Sequence, residues 1–288
     1  FENIISKKIP KLNNQNYTQK DINAFDNIIL KKKDAQETFK TKIKNVPGKI
    51  YDTPKFLPAG DKYMLIEFGN IMNLELNFTA QNLAKAIKDQ KIRGVYETSP
   101  CFASMIVHYE PDEIKFNDLK KELSLLINSL GSTDEIEINS RIFSFPTVYL
   151  DKWTKECIED YSNKIAKKKP DPELITELNN LENTDQFVRV HSSTEYWVAA
   201  IGFWPGLPFM MALDPRCKLT VPKYNPPRTW TPKGTVGMGG ASTCIYPDKL
   251  PGGYQIFGII PVPIWDTNKS FPVFENNICL FQPGDRVK

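Results

Sequence analysis

The chain has 288 residues, of which 41% are hydrophobic and 25% charged, an ordinary composition for a soluble globular protein. This length exceeds what one core usually needs, so two domains are expected. The formal net charge of +3 implies no particular partner. The sequence lacks a signal peptide and an apolar run of about twenty residues, so we expect no membrane among its partners. On the evidence of charge, we expect no nucleic acid partner either.

Residues 1–54 are interpreted as a basic linker or a lead that contacts a partner. Residues 1–50 contain eleven lysines against five acidic residues. Such a segment can contact nucleic acid or an acidic surface, but a solvated linker is the simpler interpretation. The first residue, Phe1, is not an initiator methionine, so we expect the chain to be a piece of a longer protein.

Residues 55–150 carry the pattern of an α+β domain. The stretches KYMLIEFG and GVYETSPCFASMIVHYEP predict strands, while NLELNFTAQNLAKAIKDQ and FNDLKKELSLLINSL carry apolar residues at helical spacing. With RIFSFPTVYL as a final strand, the order becomes strand, helix, strand, strand, helix, strand. This order is typical of a ferredoxin-like domain.

Two further regions follow. Residues 151–184 predict a charged helical connection in which Pro170 and Pro172 stop the helix, and Thr184 and Asp185 are predicted to cap the next one. In residues 185–288, prolines and glycines punctuate short apolar runs, a pattern typical of a small β-barrel. Since the loops of this region hold most of the unusual residues, we predict the functional site there.

The stretch KYNPPRTWTPKGTVGMGG, residues 223–240, is the strongest candidate for that site. Pro226 and Pro227 fix the backbone. They are expected to present Lys223, Tyr224, Asn225 and Arg228 from a stiff loop. Glycines leave room for a ligand or another strand at Gly237, Gly239 and Gly240, although tight barrel turns explain them equally well. The turn in LPGGYQIFG likewise delivers Tyr254 and Gln255 onto a strand.

The cysteines and histidines have simple structural explanations. The cysteines form no CxxC pair and lie near no histidine at metal-ligand spacing, so we expect reduced thiols in a cytoplasmic protein and no metal site. They are Cys101, Cys157, Cys217, Cys244 and Cys279. The apolar context of Cys244 favours a packed thiol over a nucleophile. His108 is predicted to be structural, while for His191 both a structural role and a place in the site stay open.

One charged pair also has two explanations. Asp214 and Arg216, in the stretch LDPR, either bind a ligand or form an ion pair that locks their loop. The sequence contains no P-loop, no GxGxxG motif on a βαβ unit and no Ser-His-Asp order. Nucleotide chemistry and a serine-hydrolase mechanism are therefore not expected from this chain.

Four ordered motifs resemble the allophanate hydrolase subunit 1 family: GFWPGLPFMMALDPR, KYNPPRTWTPKGTVGMGG, CIYP and LPGGYQIFG. The family includes subunits of bacterial 5-oxoprolinase, an inhibitor of a sporulation kinase and one half of the carboxyltransferase of biotin-dependent urea carboxylases. The KYNPPRTWTPKG motif, with the later PGGYQ and IWD, is most similar to the urea carboxylase branch, which includes urea amidolyase. The resemblance extends from about residue 55 to the end, and implies an α+β domain before a cyclophilin-like β-barrel.

The resemblance implies one half of a carboxyltransferase, which transfers CO2 from carboxybiotin to urea and gives allophanate. Biotin would be carried on another domain, and ATP and Mg would be used by a separate biotin carboxylase domain. The implied partners are a subunit-2-type carboxyltransferase domain, a biotin carrier domain, the biotin carboxylase domain, and urea or a similar small amide.

The resemblance also implies roles for the candidate residues. Amide side chains can match urea, a cation can face the carboxyl group, and a tyrosine can orient or shuttle a proton. The catalytic candidates are Lys223, Tyr224, Asn225 and Arg228. The candidates for binding substrate or biotin are Phe203, Pro205, Gly206, Gly239, Gly240, Tyr246, Tyr254 and Gln255.

Other functions remain as alternatives. The sequence of residues 202–206, GFWPG, is more similar to the stand-alone members of the family. This similarity favours a subunit of a 5-oxoprolinase-like hydrolase of cyclic amides. A binding protein like the kinase inhibitor is a third function. The barrel also suggests a prolyl isomerase, but fold alone does not support that step because one fold hosts many functions.

Overall fold

The computed structural model describes residues 48–131 and 138–288, which form a mixed α/β fold with two sheets. Most of the predicted basic lead lies outside the described residues. The first sheet has four antiparallel strands in the order β1-β2-β4-β3. These are β1 (Ile50–Pro58), β2 (Tyr63–Gly69), β3 (Val95–Cys101) and β4 (Ser104–Tyr109).

Two helices cover one face of this sheet. They are α1 (Leu74–Gln90) and α2 (Phe116–Ser129). Alternate residues of β2 and β4, such as Met64 and Met105, point into a core that also contains Leu83 of α1 and Leu123 of α2. The period of two in the strands and the helical spacing in α1 and α2 thus produce the first core, as the sequence predicts.

The last predicted strand of this domain lies elsewhere. RIFSFPTVYL forms two short strands, β5 (Ile142–Phe143) and β6 (Val148–Tyr149), and both belong to the second sheet. The place beside β2 is filled by β1, which begins inside the segment predicted as a lead. Aromatic side chains of the β5–β6 segment pack against the second core, so their burial explains the difference. The domain boundaries at residues 54, 150 and 184 stay a prediction.

Three helices connect the sheets: α3 (Lys152–Lys164), α4 (Asp171–Leu178) and α5 (Thr184–Ser192). The Asp151 carboxylate caps α3 by accepting hydrogen bonds from the amides of Trp153 and Thr154. The cap of α5 is Asn183, whose side chain accepts from the Gln186 amide, and not Thr184 or Asp185 as predicted. Among the described residues, no helix combines the length and apolar content needed to cross a bilayer.

The second sheet has eight strands in the order β5-β12-β7-β8-β10-β9-β11-β6. Besides β5 and β6 it contains β7 (Tyr196–Ile201), β8 (Pro208–Ala212), β9 (Thr235–Gly239), β10 (Ser242–Ile245), β11 (Gln255–Ile259) and β12 (Arg286–Val287). Its core includes Val198, Val236 and Phe257, and α5 contributes Phe187. The candidate residues lie in the loops and strand ends of this sheet.

A buried amide joins the two sheets. Asn77 of α1 donates hydrogen bonds from Nδ2 to the carbonyl oxygens of Phe102 and Ala199, each at 2.9 Å. Its Oδ1 accepts from Nε1 of Trp197 at 2.8 Å and from Nε2 of Gln81 at 2.7 Å. Because every polar atom of this side chain is hydrogen-bonded, Asn77 holds α1 against β7 in one arrangement.

Candidate functional site

The loop of residues 223–228, here called the 223–228 loop, is tied along its backbone to a glycine turn. The Tyr224 amide donates to the Gly253 carbonyl at 2.6 Å, and the Arg228 amide donates to the Gly252 carbonyl at 2.9 Å. The peptide bond between Asn225 and Pro226 is cis. The two prolines and these hydrogen bonds together hold the loop in one shape, as the sequence predicts.

A buried carboxylate lies beneath this loop. Asp171, at the start of α4, is 0% exposed. Its Oδ1 accepts a hydrogen bond from the Tyr224 hydroxyl at 2.5 Å, and its Oδ2 accepts from the Ile256 amide at 2.7 Å. Asp171 also forms an ion pair with Lys168. One carboxylate thereby links α4, the 223–228 loop and β11.

Lys168 extends the network to a predicted binding residue. Its ammonium donates to Oε1 of Gln255 at 2.9 Å and lies 4.1 Å from the centre of the Tyr224 ring. Nε2 of Gln255 in turn donates to the Pro222 carbonyl at 2.7 Å. Burial lowers the pKa of Lys168 below its usual range, an effect that Asp171 opposes. The amide of Gln255 is therefore engaged within the protein.

Arg228 lies inside this part of the molecule, only 2% exposed. Its Nη1 donates to the Tyr254 carbonyl at 2.5 Å, and its Nη2 donates to the Thr231 hydroxyl at 3.1 Å and the Tyr246 hydroxyl at 3.4 Å. The guanidinium carbon is 4.4 Å from the centre of the Tyr224 ring. These contacts support the role of tying the loop to the sheet, rather than the predicted contact with a carboxyl group.

Of the four catalytic candidates, Lys223 and Asn225 are exposed, whereas Tyr224 and Arg228 are buried, so the loop presents only two of the four side chains predicted. The Lys223 ammonium lies 5.2 Å from the centre of the Tyr254 ring. A Cβ atom on Gly239 would lie 2.6 Å from Cδ1 of this ring and 3.0 Å from Cγ of Lys223, so glycine is needed for both side chains to lie against β9. Next to it, Gly240 has a φ of +63° and open space around a Cβ position. The surface at Gly240, next to Lys223, is therefore open to solvent.

The candidate tyrosines are protonated at neutral pH. Burial raises the pKa of Tyr224, Tyr246 and Tyr254 well above the usual range of a phenol. In these environments the hydroxyl groups serve as hydrogen-bond donors and acceptors. The predicted roles of these tyrosines in orienting a group or shuttling a proton stay predictions.

The loop of residues 202–207 packs against Trp265 and Cys279, while Leu207 at its end belongs to the same buried cluster as Tyr246 and Tyr254. Phe203 is 66% exposed, and Gly206 packs where a Cβ would lie 3.3 Å from Trp265 and 3.4 Å from the Cys279 sulfur. The Trp204 ring meets the Trp265 ring edge-on at 6.3 Å. The binding roles assigned to Phe203, Pro205 and Gly206 stay predictions.

The remaining sequence candidates have structural roles. Nδ1 of His191 lies 2.7 Å from the Tyr149 hydroxyl, at the end of β11 opposite the 223–228 loop. His108 of β4 stacks on Tyr63 at 4.7 Å. Cys244 lies in β10, where burial raises the pKa of its thiol and so opposes a nucleophilic role. Asp214 and Arg216 form an ion pair at 2.7 Å, one of the two predicted arrangements.

Residues 54–274 match the family described as the carboxyltransferase domain, subdomain C and D. The chain belongs to this family. The carboxyltransferase chain is 32% identical to urea amidolyase of Lachancea kluyveri over 251 residues, which cover 84% of this chain and 14% of that protein. Urea amidolyase of Saccharomyces cerevisiae is 30% identical over 257 residues, covering 85% of this chain and 14% of that protein.

A smaller relative covers the same region. A 5-oxoprolinase subunit of Bacillus subtilis is 28% identical over 239 residues, which are 80% of the carboxyltransferase chain and 89% of that subunit. The crystal structure of K. lactis urea amidolyase has a TM-score of 0.70 at 25% identity and covers 84% of this chain and 15% of that one. The resemblance drawn from the sequence is thus confirmed, and the chain spans about one seventh of the fungal relatives' length.

Two residues of the candidate site were not predicted from sequence. Lys168 and Asp171 stand in the stretch KKKPDPE, which we interpreted as part of a connection. Asp171 meets Tyr224 across 53 residues. The available signal was an acidic residue enclosed by Pro170 and Pro172 after a run of lysines, which is too weak to assign burial.

Replacing Arg228 by alanine should lower the free energy of unfolding of the carboxyltransferase chain by about 2–3 kcal/mol, because the buried Tyr254 carbonyl would lose its partner. Guanidinium chloride denaturation followed by circular dichroism measures this change. Arg228→Lys should recover only part of the lost stability, since one ammonium cannot replace both Nη1 and Nη2 of the guanidinium. An Arg228→Ala protein as stable as the parent chain would contradict the structural role.

Proposed function

We propose that this chain is one half of the carboxyltransferase of a biotin-dependent urea carboxylase or urea amidolyase, transferring CO2 from carboxybiotin to urea to give allophanate. The observation that carries the proposal is the 223–228 loop, which a buried network fixes and which presents Lys223 and Asn225 to solvent. Rigid placement of a cation beside an amide suits the positioning of a carboxyl group and a planar neutral substrate.

The residues present fit the ureido group of biotin. That group is planar and neutral, with two N–H donors and one carbonyl oxygen, and Asn225 offers both a donor and an acceptor. The open space at Gly240, beside Lys223, would leave room for it. When bound, biotin would supply the activated carboxyl group.

Lys223 would hold the anionic carboxyl group by charge, and Asn225 would orient urea by paired hydrogen bonds. Tyr254 would exclude water from one side of the Lys223 ammonium, which strengthens that charge interaction. Beneath them, Lys168, Asp171 and Arg228 act as positioning residues, because their contacts are with the protein. Asn225 and Lys223 are thus the residues that we place against the ligands.

The proposal needs domains beyond this chain. A subunit-2-type carboxyltransferase domain would complete the site, a carrier domain would bring biotin, and a biotin carboxylase domain would use ATP and Mg. We further propose a cytoplasmic location. For the fold, we propose a ferredoxin-like first domain in which β1 replaces the last strand, followed by a cyclophilin-like barrel built on the eight-stranded sheet. The strand orders support both assignments.

A second candidate function is that of a subunit of a 5-oxoprolinase-like hydrolase of cyclic amides. One observation favours it: the match to the Bacillus subtilis 5-oxoprolinase subunit takes in 89% of that protein, whereas the matches to the fungal relatives take in 14% of theirs. The same Lys223 and Asn225 could orient a cyclic amide that bears a carboxylate.

The decisive experiment supplies the chain with its proposed partners. Alone, with ATP, Mg and free biotin, the chain should carboxylate urea at no more than the background rate, because the site lies at a seam with another domain. Addition of the subunit-2-type domain, the biotinylated carrier and the biotin carboxylase should produce urea-dependent ATP hydrolysis and allophanate. Robust turnover by the chain alone would argue against the proposal. ATP-dependent opening of 5-oxoproline in place of allophanate formation would establish the second candidate.

A further inference from the structure

A cavity of about 450 Å³ opens into the second sheet at the end away from the 223–228 loop. Its wall contains the apolar side chains of Met210, Val236 and Ile245, and its polar end contains His191 and Thr243. We call it the His191 cavity. These three apolar side chains are buried, so the cavity, although open to solvent at one end, reaches into the sheet.

The His191 cavity is separate from the candidate carboxyltransferase site. Gln255, which belongs to the network below the 223–228 loop, stands at the first residue of β11, whereas Ile260, just after the last, lines the cavity. Five residues along a strand span about 17 Å. A ligand in the cavity would therefore leave the Lys223 surface free.

The polar end of the cavity is a chain of neutral groups. Nδ1 of His191 lies 2.7 Å from the Tyr149 hydroxyl, and its Nε2 lies 3.2 Å from the Thr243 hydroxyl. Burial lowers the pKa of His191 to about 3, so the imidazole is uncharged at neutral pH. Among the described residues that line the cavity, Lys288 alone has a formal charge, and it is exposed.

These groups define what the cavity can hold. A hydroxyl oxygen has two lone pairs, so Tyr149 and Thr243 each keep capacity to accept a hydrogen bond after their contact with His191. The apolar wall favours a hydrophobic body, while a charged group would lose its water without gaining a buried partner. Pockets for small molecules commonly have volumes of about 300–1,000 Å³ and combine an apolar wall with a few polar groups.

We propose that the His191 cavity is a second binding site, for a small neutral molecule that has an apolar ring and a hydrogen-bond donor. The donor contacts the hydroxyl groups of Tyr149 and Thr243, and the ring lies against Met210 and Val236. This site is independent of the proposed carboxyl transfer, so the failure of either proposal leaves the other intact.

Indole is a suitable probe because it is neutral, flat and has one N–H donor. Isothermal titration of the full chain with indole should give saturable one-to-one binding. Thr243→Val keeps the shape of the side chain but removes the hydroxyl group, and should weaken binding about tenfold. Benzoate, of similar size but charged, should bind at least about tenfold more weakly than indole because its carboxylate must lose water.

Two tryptophan variants locate the binding. Ser144 is exposed at the mouth of the cavity, so Ser144→Trp should block entry and abolish indole binding. Ser99→Trp is the matched control, since Ser99 is an exposed residue of the first sheet. Circular dichroism and the melting temperature verify that each variant folds, and Thr243→Val provides an independent test. No saturable binding below about 1 mM, equal affinity in all variants or tighter binding of benzoate would each overturn the proposal.

Discussion

Replacement of Asp171 by alanine should lower the free energy of unfolding by about 3–5 kcal/mol, the cost of breaking a buried ion pair. The carboxylate is fully buried, and it accepts hydrogen bonds from the Tyr224 hydroxyl and the Ile256 amide besides its contact with Lys168. Removing it leaves the half-buried Lys168 ammonium without its counter-ion and two buried donors unpaired. Guanidinium chloride denaturation of the purified chain measures the effect.

Three further variants separate charge from shape. Asp171→Asn preserves the size of the side chain but removes its charge, and should cost less than alanine. Adding Lys168→Met to Asp171→Asn should recover part of the loss, because both charges are then gone. Glu173→Ala, an exposed position on the same helix, is the control and should change stability by less than about 0.5 kcal/mol. Equal stability of Asp171→Ala and Glu173→Ala would refute the role given to the buried network.

In the complete enzyme, Asn225→Ala should reduce carboxyl transfer to urea about a hundredfold or more without changing the melting temperature. The Asn225 side chain is exposed, so its removal costs the fold little. A hydrogen bond lost in a site that closes around the substrate costs on the order of 2–4 kcal/mol in the transition state. Urea-dependent ATP hydrolysis measures the transfer, and carboxylation of biotin by the separate domain should persist.

Thr229→Ala serves as the matched control for Asn225. Thr229 is also exposed and belongs to the same stretch, but it lies beyond the two prolines and Arg228. It should retain nearly normal urea-dependent turnover. An Asn225→Ala enzyme that behaves like Thr229→Ala in both turnover and melting temperature would remove Asn225 from the substrate-contacting residues.

Local signals in the sequence predicted much of the fold. The alternation in β2 and the helical spacing in α1 and α2 depend on neighbours a few residues away, and these elements form as predicted. The placement of RIFSFPTVYL could not be predicted in the same way. Its pattern indicates a strand, but the choice of sheet depends on which distant core buries its aromatic side chains.

The candidate site shows the same limit. Pro226 and Pro227 have local effects, and the rigidity that they predict is present in the loop. Arg228 was predicted to face a carboxyl group, whereas its guanidinium contacts Tyr254, 26 residues away, and lies out of solvent. Lys168 and Asp171 join the site through contacts across the fold. Burial of a charged residue depends on such long-range partners, which one sequence does not reveal.

The short segment between the first domain and α3 borders the second sheet on both sides. β5 pairs with β12 at one end of the strand order, and β6 pairs with β11 at the other. A fragment that began at residue 151 would therefore leave β11 and β12 with unpaired amide and carbonyl groups. Such open edges are templates for pairing with other chains, so this ten-residue stretch, RIFSFPTVYL, protects the second sheet from edge-to-edge aggregation.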